Sequence, residues 1–403
     1  MRTTLTLATG LVALAVAPVA SGQVLFNDSF DTDTSANWNV NAGPGVNTAT
    51  FAFDYSAFGI PKAPNSPANT TLGLRLRANI QETAGTNTGT FGGISVSPKD
   101  QNFAGSYILR ADVWMNAPGP FPAGAAGSTN VTGVGVLTSG TRAQWAGSAQ
   151  ESVHFGTTAD GGSTADYRAY SPAAQTSYPD GSPVYPATNR NNLNTYYAPI
   201  VGATVPQSQT DLYPATQTGT LAAGAAGMTW RQLRVHKFGN NISYFVDNLR
   251  IATVDAANIT GLGGGNILLN QYDINATTTT AELAPLQFGL FDNVIVDTSS
   301  GILGDMDQNG AVNNQDIAPF VSSLTSTAPL GPGTVFAGDV NADGIVNNQD
   351  IAPFVALLTG GSGLADVAGD PEFAPLVALV PEPGSVALLA LGGLAVLRRR
   401  RSA

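Results

Sequence analysis

Two twelve-residue stretches near the C-terminal end carry the most directed chemistry in this chain. The first runs Asp305-Met306-Asp307-Gln308-Asn309-Gly310-Ala311-Val312-Asn313-Asn314-Gln315-Asp316, and the second Asp339-Val340-Asn341-Ala342-Asp343-Gly344-Ile345-Val346-Asn347-Asn348-Gln349-Asp350. Oxygen side chains fall at positions 1, 3, 5, 9 and 12 of each copy, with glycine at position 6. A hard cation such as Ca²⁺ gathers about six to eight oxygens, and a segment this short converges them only by turning sharply, which Gly310 and Gly344 permit. The ligands expected for two Ca²⁺ ions are therefore Asp305, Asp307, Asn309, Asn313 and Asp316, then Asp339, Asn341, Asp343, Asn347 and Asp350. The position-7 carbonyls of Ala311 and Ile345 complete the two sets. The competing reading is an Asn- and Asp-rich turn that binds nothing, and duplication in register argues against it.

The residues after each loop are duplicated too. Ile317, Phe320, Val321 and Leu324, and again Ile351, Phe354, Val355 and Leu358, follow i, i+3, i+4, i+7 spacing, one apolar face of a short helix. Neither helix buries that face alone, so the two are expected to pack together across a pseudo-twofold axis. Pro319 and Pro353 are tolerated only in a first turn, so each helix starts near its position-12 Asp or is kinked. Thr298-Ser299-Ser300-Gly301 does not read as helix, which makes each unit a loop plus its exiting helix.

The loops are of EF-hand type, and the paired units over residues 302–360 resemble the type I dockerin, in which Asp at position 12 is also usual. That resemblance implies two bound Ca²⁺ ions and a cohesin-like protein partner. Two features depart from it. Dockerins are read largely through positions 10 and 11 and through basic residues along the helix. Here those positions are Asn314-Gln315 and Asn348-Gln349, and no Lys or Arg lies between Ile251 and Leu397. Calcium ligation carries over residue by residue; recognition by a cellulosome-type cohesin does not.

The 403-residue chain has room for two domains and terminal signals. Only 11% of residues are charged, against 43% hydrophobic with 46 Gly and 25 Pro, which points to β-rich structure with many turns. Cysteine is absent, so stapling falls to calcium or core packing. A formal charge of −11 speaks against nucleic acid as a partner.

Arg2, an apolar run from Leu5 to Val19 and the small residues Ala20-Ser21-Gly22 read as a secretory signal over residues 1–22. At the other end Val380-Pro381-Glu382-Pro383-Gly384 precedes an apolar run from Val386 to Leu397 and the block Arg398–Arg401. Twelve apolar residues reach about 18 Å as a helix, short of a bilayer core of roughly 30 Å. The arginines would hold the tail on the cytoplasmic side. These three parts, residues 380–403, resemble the PEP-CTERM sorting signal of Gram-negative bacteria. The resemblance implies an exosortase that removes the tail, only transient membrane contact, and delivery to the cell surface or matrix. A plain membrane anchor is the alternative.

Residues 23–298 show short alternating runs separated by turn clusters, as in Leu72–Leu76, Tyr107–Trp114 and Val131–Leu137. Trp230–Phe238, a Gly239-Asn240-Asn241 turn and Ile242–Val246 read as a hairpin, extended through Asp247-Asn248 into Leu249–Val254. Phe288–Val296 is the expected last strand, returning beside the first. The Trp-x-x-Leu-x-Val, Tyr-Phe-Val-Asp and Phe-Asp-Asn-Val segments resemble a concanavalin A/laminin G-like jelly roll. The fold expected is thus mainly β, a jelly-roll-like β-sandwich followed by a small α, dockerin-like module at residues 299–360, a linker at 361–379 and the sorting signal. Between Pro118 and Gly227 the alternation weakens into Pro-, Gly- and Tyr-rich sequence. Tyr196 and Tyr197, read as consecutive strand residues, would face opposite sides. Rings there, beside Arg190, Asn191, Asn192 and Asn194, would either stack on sugars or cap the sandwich.

No catalytic motif is evident. Glu82, Glu151 and Glu282 are the only glutamates of the sandwich region, without the Glu-x-Asp-x-x-Glu cluster of jelly-roll glycosidases. His154 and His236, the only histidines, both read as structural, and without cysteine neither a zinc cluster nor a Cys/His nucleophile is supported. Three functions remain open: a non-catalytic glycan- or protein-binding module, a glycoside hydrolase of polysaccharide catabolism, or a structural matrix protein. An acidic pair in one cleft would favour the second.

Overall fold

The computed structural model describes residues 23–67, 69–80, 92–125, 129–247, 249–273, 283–298, 303–306, 312–326, 337–341 and 345–359. The segments read as the export signal, the linker and the sorting tail lie outside them, as do Glu82 and Glu282. The chain divides into two compact units, one centred on Gly22–Ser299 and the other on Ser300–Asn341 with the residues from Val346 onward.

The first unit is built from strands β1 (Gln23–Asp28), β2 (Trp38–Ala42), β3 (Thr48–Asp54), β4 (Leu72–Arg77), β5 (Gly92–Pro98), β6 (Tyr107–Asn116) and β7 (Asn130–Thr138). It continues through β8 (Val153–Thr158), β9 (Tyr167–Tyr170), a short helix α1 (Gln207–Leu212), β10 (Trp230–Phe238), β11 (Asn241–Val246), β12 (Leu249–Asp255), β13 (Asn266–Asp273) and β14 (Phe288–Thr298). One sheet has the order β12-β11-β10-β6-β14-β4-β3, with β1 also on β14; the other has the order β2-β5-β13-β7-β8-β9. Neighbouring strands are antiparallel, and the chain passes repeatedly from one sheet to the other, which gives a jelly-roll-like sandwich. The hairpin expected around Gly239 is β10–β11, and β14 returns beside β1 from Gln23↔Thr298 to Asp28↔Val294.

Alternation fixes which side chains meet between the sheets. In β6, Leu109, Ala111, Val113 and Met115 are buried in the shared core, while Arg110 and Asp112 lie on the opposite face. Phe155 of β8 stacks on Tyr244 of β11 with centroids 4.9 Å apart and planes 7° from parallel, and the Tyr244 hydroxyl meets Thr157 Oγ1 at 2.8 Å. Gly289 of β14 leaves room for side chains of the facing sheet: a Cβ there would lie 2.6 Å from Gln271 Oε1 of β13.

Both outer faces are covered as well. Residues 139–151 fold over the outer face of the β2–β9 sheet, where Trp145, Val131, Tyr170 and Tyr272 form a separate buried cluster. On the other sheet the segment after β3 lies across β6, with the Asn65 amide donating to Asp112 Oδ2 at 3.0 Å and Trp230 Nε1 to the Pro61 carbonyl at 2.7 Å.

The second unit contains α2 (Ile317–Thr325) and α3 (Ile351–Leu358). Asp316 and Asp350 sit at their N-caps, so Pro319 and Pro353 fall within first turns, where a missing N–H costs nothing. The helices meet through Phe320 and Phe354 in a small core with Met306, Ala337 and Val340. The buried stripe is narrower than the sequence implies. Ile317, Val321 and Val355 are about half exposed, while Leu324, Ile351 and Leu358 of the expected faces pack on the core together with Leu357.

Candidate functional site

The described residues of the two duplicated loops, the expected Ca²⁺ ligand sets, fall into matching local structures. In the first copy the Asn313 amide donates to Asp316 Oδ2 at 2.8 Å, and the Gln315 amide to Asn313 Oδ1 at 2.8 Å. The second copy repeats this, Asn347 N to Asp350 Oδ2 at 2.8 Å and Gln349 N to Asn347 Oδ1 at 2.7 Å. Position 9 thus caps the turn that leads into the helix and fixes position 12, whose carboxylate points back into the loop. In the second copy Asn341 N also donates to Asp350 Oδ1 at 3.0 Å, which brings positions 3 and 12 together. Asp305, Asp316 and Asp350 are fully buried and Asp339 nearly so.

Asp307, Asn309 and Ala311 of the first loop and Asp343 of the second, together with Gly310 and Gly344, lie outside the described residues. Among the described residues no three acidic side chains converge as a metal-binding group. Ile345, the position-7 residue of the second loop, is described and exposed.

In the sandwich the candidate acids and bases serve the scaffold. Glu151, the described glutamate, accepts from Thr138 Oγ1 and Ser139 N, each at 3.1 Å, and from Arg142 at 3.3 Å, tying down the two ends of the covering loop. His154 on β8 is fully buried, stacked on Tyr170 at 4.7 Å, and burial pushes its imidazole down to about 3. Ser152 Oγ donates to Gln144 Oε1 at 2.8 Å, which leaves its lone pair, 3.1 Å away, for the His154 Nδ1 proton. His236 on β10 is buried against Phe245, and burial holds it well below the usual histidine range.

The tyrosine-rich segment is a cover, not an open platform. Tyr167, Tyr170, Tyr185 and Tyr197 are buried, and Tyr167 stacks on Tyr197 at 4.2 Å. Tyr196 and Tyr197 are not strand residues. They belong to a 3-10 turn, Thr195–Tyr197, capped by Asn194, and Tyr196 donates to the Arg250 carbonyl at 2.7 Å. Arg190 pairs with Asp180 at 2.6 Å, Asn191 Nδ2 donates to the Ser163 carbonyl, and Asn192 Nδ2 to the Ala223 carbonyl.

Two groupings have no counterpart in the sequence reading. Asp112 and Asp292 face each other across β6 and β14. Asp112 is filled by Asn65 N at 3.0 Å, Asn65 Nδ2 at 2.8 Å and Asn293 Nδ2 at 2.9 Å. Asp292 accepts from Tyr55 at 3.2 Å, and burial pushes its carboxyl up to about 7. An acid set in the apolar run of β6 was the available signal. The second grouping is a depression of about 300 Å³ at the β11–β12 turn, lined by Pro199, Ile200, Val246, Asp247 and Leu249. It joins segments fifty residues apart, so no local motif announces it.

Among the described residues no helix is long and apolar enough to cross a membrane. No curated protein matches the chain. Among solved structures, the chain is similar to a glycoside hydrolase family 16 endo-glucanase from Bacteroides ovatus, at 14% identity over 68% of this chain and 100% of that one, with a TM-score of 0.35. It is similar also to the carbohydrate-binding module CBM66 from Bacillus subtilis, at 8% identity over 65% and 96%, TM-score 0.30. A Bacillus subtilis protein of unknown function with a galectin-like fold gives 8% over 69% and 97%, TM-score 0.32. At its C-terminal end, residues 379–401 match the PEP-CTERM protein-sorting motif, which marks the chain as an exported protein sorted to the cell surface of a Gram-negative bacterium.

Proposed function

We propose that this surface-sorted protein is a calcium-dependent binding protein. Its C-terminal module folds around two Ca²⁺ ions, and its sandwich binds an extracellular ligand without cleaving it. One observation carries the calcium reading. Four carboxylates, Asp305, Asp316, Asp339 and Asp350, are buried in a stretch whose sequence from 303 to 359 contains no Lys, Arg or His. Moving a carboxylate out of water costs several kcal/mol unless opposite charge compensates it, and this module has no cationic side chain of its own. The spacing of the acids suits a divalent ion bound through oxygen. Bound Ca²⁺ would supply charge compensation and cross-link each loop to the start of its helix, and the residues to hold it are the twelve named from the sequence.

Binding without cleavage is the reading for the sandwich because the carboxylates it brings together, Asp112 and Asp292, are engaged by Asn65, Asn293 and Tyr55 beneath the covering segment. The same module would present a partner with an Asn- and Gln-bearing, half-apolar surface, which is not the basic surface a cellulosome-type cohesin reads. Limited proteolysis of the exported protein with and without a calcium chelator tests this. Chelation should expose cleavage sites between 303 and 359 while the sandwich resists. Equal protection in both conditions would overturn the calcium reading.

A further inference from the structure

The depression at the β11–β12 turn has a built floor. Asp247 occupies the turn with φ of 54°, a left-handed conformation that Asp tolerates better than most residues. Its Oδ1 accepts from the Gln232 amide at 3.0 Å and its Oδ2 from Arg231 Nη1 at 3.0 Å. Its own amide donates to the Gln232 carbonyl at 2.8 Å, and its carbonyl accepts from Arg234 Nη2 at 2.6 Å. Arg231 reaches further, donating from Nη2 to the Val201 carbonyl at 2.5 Å and from Nε to the Ala226 carbonyl at 3.2 Å, so one guanidinium locks the carboxylate to the loop that forms the opposite wall. The Asp247 side chain is nevertheless 41% exposed.

A carboxylate offers about four lone-pair sites, and here Gln232 N and Arg231 Nη1 take one on each oxygen, which leaves acceptor capacity on both for donors arriving from solvent. The surrounding walls, Pro199, Ile200, Val246 and Leu249, are apolar. A fixed two-oxygen acceptor beside an apolar wall matches a pyranose ring, with two adjacent hydroxyls to donate and a C–H face to bury. The cavity, about 300 Å³, lies at the small end of ligand sites and suits one or two sugar rings. Because the acceptor is held before the ligand arrives, little ordering is needed on binding. An anionic sugar is disfavoured by Asp247 itself and by the chain's net charge of −11.

We propose that Asp247, with Pro199, Ile200 and Leu249, forms a binding site for a neutral hexopyranose engaged through two vicinal hydroxyls. This rests on the sandwich being a binding module and names its ligand class and place. The test is calorimetric titration of the full chain with mannotetraose, cellotetraose and laminaritetraose, and with tetragalacturonate as the anionic control. At least one neutral tetrasaccharide should bind, and the control should not. Asp247→Asn keeps the shape but weakens the acceptor pair and should lower affinity about tenfold or more. Leu249→Trp should block the cavity while leaving the carboxylate in place, and melting curves confirm that each variant is folded. If the wild type binds a neutral tetrasaccharide and both folded variants bind it equally well, the site lies elsewhere and the inference fails while the binding reading stands. If the wild type binds none of the neutral sugars, or prefers tetragalacturonate, the hexopyranose assignment fails outright.

Discussion

Phe320 and Phe354 stack with ring centroids 4.0 Å apart and planes 11° from parallel. They occupy the same position in the two copies of the repeat, so the contact joins one loop–helix unit to the other. Each ring is almost wholly buried in a core of few residues, with little neighbouring side chain able to fill a gap. Replacing either Phe by Ala should destabilise the module by about 3–5 kcal/mol. Denaturation followed by helical circular dichroism should show the loss, and Val321→Ala, at a half-exposed position, should shift the transition far less.

A second prediction concerns Gly93 and the loop that covers the β2–β9 sheet. A Cβ at Gly93 would lie 2.4 Å from Trp145 Cγ, and one at Gly43 would lie 2.5 Å from Trp145 Nε1. The indole is seated where β5 and the residue just after β2 lack side chains. Gly93→Ala should therefore displace the ring, destabilise by about 1–3 kcal/mol, and shift tryptophan emission to longer wavelength as the indole meets water. Unchanged emission and melting temperature would show that the loop does not seat on this surface.

His154 and Asp292 give stability opposing pH dependences that cancel between about pH 4 and 6.5, leaving a fall below that window and another above it. His154 has a folded pKa of about 3 against 6.5 when unfolded, so between these values the unfolded chain binds the extra proton and stability falls as pH drops through that window. Asp292 is the opposite case. Its folded pKa is about 7 against 3.8, so the folded chain holds the extra proton and stability falls as pH rises from about 4 through 7. Each shift spans roughly 3 units, or about 4 kcal/mol at full effect. Urea titrations across pH should show Asp292→Asn flattening the alkaline limb and His154→Phe reducing the acidic one. Identical profiles in variant and parent would refute these assignments.

The parts legible in the sequence are those in which local chemistry decides structure. The β10–β11–β12 meander was marked by turns at Gly239 and Asp247, and the helix starts by prolines that fit only a first turn. Strands β5, β8 and β13 were not legible, because every described residue in them is buried and alternation vanishes when both faces are covered. The covering loop and the Tyr-rich segment cause that burial, and neither carries a periodic pattern. The Tyr196–Tyr197 expectation failed for a related reason: Asn194 caps a tight turn there, and turn chemistry overrides the β preference of tyrosine. The cavity at Asp247 depends on Arg231 reaching Val201, a contact that spacing alone does not disclose.

In the proposed function, the buried carboxylates of the duplicated loops are held by calcium. Titrating the ion-stripped protein with Ca²⁺ in a calorimeter tests it most directly. Two ions should bind per chain with a gain of helix, and one ion in either Asp305→Ala or Asp339→Ala, because each aspartate opens a separate loop. No heat of binding in the wild-type chain, a single ion, or two ions bound unaltered in both variants would contradict it.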